Sequence, residues 1–139
     1  GDKLNQLNNP GPIFVDREDS IYVSDRYNHR VMKWLKGAKE GIVVAGGQGY
    51  GNSLKQLLLP QGLVVNENGD VYVADYYNAR IMCWPSDSKE GNVIVGENGE
   101  GEGSNQLHYP IGLVFDRANN LYVVDSENHR IQRFDVDTN

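Results

Sequence analysis

One cysteine, Cys83, leaves the chain with no intrachain disulfide and no paired thiols to clasp zinc. Proline is scarce, at 5 of 139 residues, and with 16 glycines spread along the chain the composition is neither collagen-like nor that of a disordered linker. Cations are also in short supply. Lys and Arg total 13 against 19 Asp and Glu, a net charge of −6, which argues against a broad nucleic-acid surface and against adsorption on an anionic membrane. No apolar run approaches the roughly 20 residues of a membrane-spanning helix. No Asn-x-Ser/Thr sequon occurs, so no N-glycan is expected. The sequence opens at Gly1 with no initiator Met and no signal peptide. That fits a piece of a longer protein and leaves its compartment open.

What the chain does have is a repeat. Shifted by 50 residues, it lies on itself without a gap. "LNQLNNPGPIFVD" (4–16) matches "LKQLLLPQGLVVN" (54–66) and "SNQLHYPIGLVFD" (104–116). "IYVSDRYNHRVMKW" (21–34) matches "VYVADYYNARIMCW" (71–84) and "LYVVDSENHRIQRF" (121–134). "KEGIVVAGGQGYG" (39–51) matches "KEGNVIVGENGEG" (89–101), and the third copy stops before this segment. The spacing predicts units over about 4–50, 54–100 and 104–139.

Each unit reads as short strands rich in Val, Ile and Tyr, separated by Asn, Asp and Gly turns. First strands are expected at Ile13–Val15, Leu63–Val65 and Leu113–Phe115, and fourth strands at Ile42–Ala45 and Asn92–Val95. The first two strands of each unit are apolar at nearly every position, the pattern of strands covered on both faces. A four-stranded antiparallel sheet of this kind, repeated at a fixed period, is a β-propeller blade. The fold class is therefore all-β, with three blades of four antiparallel strands, the last incomplete. Its exposed third strand, "RIQRF", would be guarded by the charges of Arg130 and Arg133.

The units resemble NHL repeats. The resemblance rests on Pro60–Gly62 and Pro110–Gly112, on "YVSD", "YVAD" and "YVVD", and on "NHRV", "NARI" and "NHRI"; the first copy departs from it with Pro12 in place of glycine. Propellers of that family usually have six blades. Three blades leave two bare apolar faces, so a head-to-tail homodimer that closes a six-bladed ring is expected, the alternative being that the chain is half of a longer one.

Two groups of polar residues stand out. The first recurs in every unit: Asp25, Asn28, Arg30; Asp75, Asn78, Arg80; and Asp125, Asn128, Arg130. A feature common to all units is expected to be architectural, with Asn in a left-handed turn position and Asp paired to Arg. The second group differs between copies and is expected on one loop face around the channel: Arg26, Tyr27, His29, Tyr76, Tyr77, Glu127, His129 and Tyr109. Tyr, His and Arg on a surface suit recognition.

Other chemistry is weaker. His29, His108 and His129 are scattered, and Asp16, Asn66 and Asp116 open hairpin turns, so no metal is assigned. The loops "GGQGYG" and "GENGEGEG" precede no helix and carry no Lys-Ser/Thr, so they do not read as phosphate cradles. Cys83 aligns with Lys33 and Arg133 and is expected to be a surface thiol. No catalytic residue and no cofactor are assigned. The function expected is a non-enzymatic scaffold for a protein or peptide. The alternatives are a metal-dependent lyase or hydrolase at the channel and a single-stranded RNA platform, for which Arg26 and the tyrosines give only a hint of the basic, aromatic face required.

Overall fold

A computed structural model describes residues 1–136. Three antiparallel sheets follow one another along the chain. The first contains β1 (Pro10–Val15), β2 (Ile21–Asp25), β3 (Arg30–Trp34) and β4 (Ile42–Gly46). The second contains β5 (Pro60–Val65), β6 (Val71–Asp75), β7 (Arg80–Trp84) and β8 (Asn92–Val95). The third contains β9 (Pro110–Phe115), β10 (Asn120–Asp125) and β11 (Arg130–Asp135). In each sheet, strands adjacent in sequence are adjacent in space. First strands start three residues earlier than the hydrophobic pattern indicates, because a register shift between Pro10 and Ile13, and between Pro60 and Leu63, lets the proline end join the ladder. Among the described residues no helix is long and apolar enough to cross a membrane.

Side chains alternate across each strand, so one set faces the preceding sheet and the other faces the following sheet. Between the first two sheets, Tyr22, Val31 and Ala45 of the first meet Leu57, Leu63, Val71, Val73, Met82 and Trp84 of the second. Between the second and third, Ala74, Ile81 and Val95 meet Leu107, Leu121 and Val123. Each fully buried aliphatic side chain here contributes about 1.5–3 kcal/mol. Gly62 sits where the innermost strands come closest: a Cβ there would lie 2.8 Å from the Gly112 Cα and from the Ile111 carbonyl oxygen.

The outer faces of the array have no such cover. Ile13 is 62% exposed, whereas its counterpart Leu63 is 6% exposed. Ile131 is 69% exposed, whereas its counterpart Ile81 is fully buried.

Two expectations about side chains need correction. Cys83 is buried, not a surface thiol. Its register partner is Tyr72, which places it on the face covered by the third sheet. Burial pushes its thiol pKa up, and burial likewise pushes the Tyr72 phenol up to about 12. Arg130 does not guard the β11 edge, because its guanidinium turns inward to Asp125. Arg133 is the edge charge, paired at 3.2 Å with Asp135.

Candidate functional site

The turn between the second and third strands of each sheet is a single 3-10 turn: Arg26–Asn28, Tyr76–Asn78 and Ser126–Asn128. The left-handed residue is the one after it, His29, Ala79 or His129, at φ 53°, 53° and 52°. Asn28, Asn78 and Asn128 are therefore not in the left-handed position. Their amides are needed elsewhere. Asn28 Nδ2 donates to Asp25 at 2.8 Å and to the Gly1 carbonyl at 2.8 Å, and the other copies repeat both bonds.

The aspartate is the hub of this clasp. Its Oδ2 accepts from Arg30 Nε, Arg80 Nε or Arg130 Nε at 2.7, 2.7 and 2.8 Å. Its Oδ1 accepts the backbone N–H of Asn8, Leu58 or His108. The rest of each guanidinium donates to loop carbonyls, for Arg80 those of Asn52, Ser53 and Gln56. Both carboxylate oxygens, the Asn amide nitrogen and the guanidinium nitrogens are engaged with backbone or with another clasp member, so the arrangement ties the incoming loop to the turn. Among the described residues, no buried side-chain nitrogen or oxygen lacks a partner.

The clasps fix the loop face on which the variable residues stand. Asn9, Leu59 and Tyr109 are also left-handed, at φ 52°, 55° and 55°, beside the turns. Arg26 donates to the Asn9 carbonyl and side chain, each at 3.0 Å. Ser24 Oγ donates to the Gln61 carbonyl across the seam between the first two sheets. Over that seam lies an open hollow of about 340 Å³, lined by Asn9, Arg26, Tyr27, Leu59, Gln61, Tyr76 and Ile111.

Tyr76 is also the start of an aromatic shelf. Its ring stacks on Tyr109, with centroids 4.7 Å apart and planes at 15°. Tyr77 lies 5.5 Å and His108 4.6 Å from the same Tyr109 ring. Glu100 reaches His108 Nε2 at 3.2 Å. Tyr77, burial and Glu100 together hold the Tyr109 phenol above its ordinary pKa.

The structure thus brings together Arg26, Tyr27, Tyr76, Tyr77 and Tyr109. His29 stands at the seam, where its Nδ1 accepts the Leu59 N–H at 3.1 Å and its ring meets Tyr50 edge-on. Burial lowers the His29 pKa, against the upward pull of Asp75 and Asp25. Glu127 and His129 are exposed on the third turn, away from the hollow. Sequence reasoning missed Asn9, Leu59, Gln61 and Ile111. The signal lies in their repeat positions, just before or just after the opening proline of the three units.

Residues 57–84 and 107–134 match the NHL repeat. No curated protein matches the chain. Among solved structures, the chain is similar to an auxiliary nutrient binding protein from Bacteroides thetaiotaomicron, with 20% identity and a TM-score of 0.71 over 87% of this chain and 36% of that one. A second auxiliary nutrient binding protein, from Bacteroides ovatus, has 16% identity and a TM-score of 0.70 over 90% of this chain and 37% of that one. A catalytically inactive virginiamycin B lyase from Staphylococcus aureus has 15% identity and a TM-score of 0.56 over 93% and 42%. The chain spans 36–42% of the length of these three structures, and the likeness shows the fold.

Proposed function

We propose that this chain, an NHL-repeat protein of propeller-like fold, is a binding scaffold whose loop face takes a protein or peptide. The observation that carries the reading is the hollow over the first seam, with Arg26, Tyr27 and Tyr76 in its wall and the Tyr109 shelf beside it. Tyr and Arg dominate the energetics of protein recognition because they offer large, rigid contact areas with polar ends. The surrounding backbone is held by the clasps, so little ordering entropy opposes binding. The wall residues differ from copy to copy, with Arg26, Tyr76 and Ser126 at one repeat position, which suits an asymmetric ligand. Two of the similar structures are described as binding proteins, which fits this use of the fold.

The test uses peptides selected from a displayed random library on the unmodified chain. Tyr27→Ala and Tyr77→Ala should each weaken them about tenfold, roughly 1.4 kcal/mol. Both rings are exposed, so unfolding midpoints should stay within about 0.5 kcal/mol of the parent. Selected peptides indifferent to both substitutions would remove the reading. A collapse in stability would show that the rings support the fold.

A further inference from the structure

The array has a front face, on the first sheet, and a back face, on the third. Neither is an ordinary surface. The front exposes Ile13, Val15, Ile21 and Val43, and the matching positions in the second sheet, Leu63, Val65, Val71 and Val93, are packed into the first seam. The back exposes Val114 and Ile131. The residues of the first sheet that match these, Phe14 and Val31, are packed into the first seam, and Ile81 of the second sheet is buried in the second. The chain therefore displays the junction twice in finished form and once as two separated halves, the back half having, among the described residues, no fourth strand like those that supply Ala45 and Val95 to the finished seams.

We propose that a second copy of this chain supplies the missing half, the back face of each packing on the front face of the other in a closed pair with two identical new seams. The faces differ from each other, so contact is head to tail. It ends at two copies only if both seams form together. Continuity with the existing seams supports the pairing, independently of the ligand reading.

Polar details agree with the apolar ones. In the first seam His29 Nδ1 accepts the Leu59 N–H. The second seam has Ala79 at that position. The third sheet returns to histidine: His129, left-handed at φ 52°, exposed. By the 50-residue equivalence, its acceptor nitrogen is placed for the N–H of Asn9 in the second copy. The second seam packs Tyr72 edge-on against Phe115, at 4.9 Å. Tyr122, at the same position on the back face, would meet Val15 of the second copy. One contact is less favourable. The first seam sets Arg17 3.2 Å from Glu67, whereas the new seam sets Arg117 beside Arg17; both are exposed, so the cost is small.

Pairing would also extend the loop face. The first hollow is built from a turn of one sheet and loop residues of the next. Ser126 and Glu127 have the turn but no next sheet, and Asn9, Gly11 and Arg26 of a second copy would complete it.

Sedimentation across a concentration series tests this. The 139-residue chain should give one species of twice the 15.5 kDa chain mass. Ile13→Lys and Ile131→Glu alter exposed side chains, so each should keep the parent's circular dichroism while sedimenting as a single chain. Mixing the two variants should restore the double mass. In the mixed pair one seam is unaltered and the other carries opposite charges. His129→Ala should raise the dissociation constant by about threefold or more, which a spectator histidine would not do. A folded single chain at all concentrations would give these faces to other blades of a longer polypeptide and overturn the proposal. So would an open series of ever larger species, or a pair that survives Ile13→Lys.

Discussion

The second and third sheets carry the same clasp, with the same residue types, spacing and bonds. Asp75 holds Arg80 at 2.7 Å and Asp125 holds Arg130 at 2.8 Å. Their surroundings differ. The second sheet is covered on both sides and the third on one, so the Arg80 side chain is 8% exposed and that of Arg130 is 30% exposed. The electrostatics change direction as a result. At Asp75 burial outweighs every bond to the carboxylate and raises its pKa. At Asp125 burial still pushes upward, but the His108 N–H, Asn128, Arg130 and Gln132 together outweigh it, and the pKa falls. A motif's local geometry is thus written in its own residues, while its energetics depend on what lies over it.

Removing the arginine should make that difference measurable. Arg80→Ala strands a fully buried carboxylate, at a cost of about 3–5 kcal/mol. Arg130→Ala leaves a carboxylate that solvent can approach, and the loss should be nearer the value of a charged hydrogen bond, about 1.5–3 kcal/mol. Urea midpoints of dilute single chains at neutral pH compare the two. Equal losses would mean that cover does not set the clasp's worth. The apolar version of the comparison is Ile81 against Ile131. Ile81→Ala should cost about 2–5 kcal/mol, because it opens a cavity in the second seam. Ile131→Ala in dilute single chains should stay within about 0.5 kcal/mol of the parent. A large loss at Ile131 under those conditions would show that the back face is already covered.

The sheets and their order were legible in the sequence because the repeat aligns three independent samples of one pattern. Strand faces and turn residues agreed between copies, and only boundaries moved, by the reach of a bulge at Pro10 and Pro60. Side-chain environments were less legible. Alignment with Lys33 and Arg133 suggested that Cys83 pointed to solvent, yet Lys33 lays its ammonium over the Tyr22 ring at 5.2 Å, so that position lies against an aromatic side chain and is not simply a surface site. The left-handed residue was misplaced because Asn, the usual candidate, is held inside the clasp by its amide. The hollow was half visible: its tyrosines and arginine differ between copies, but Leu59 and Ile111 look like core residues until the seam is seen to be open at that end.

The smallest difference separates the two finished seams at one atom. His29 Nδ1 takes the Leu59 N–H in the first seam, and Ala79 offers nothing to the equivalent group in the second. Burial lowers the folded-state pKa of His29 below its ordinary value near 6.5. Between those two values the unfolded chain binds the extra proton and the folded chain does not, so stability rises with pH through that window and is lost as pH falls. Protonation would also cancel the acceptor that receives the Leu59 N–H. His29→Ala should therefore flatten part of the fall in stability below pH 6.5. At neutral pH it should cost no more than one hydrogen bond, about 0.5–1.5 kcal/mol. Thermal midpoints of parent and variant across that window provide the measurement. Parallel curves would show that His29 titrates alike in both states, and the first seam would then owe nothing to its histidine beyond packing.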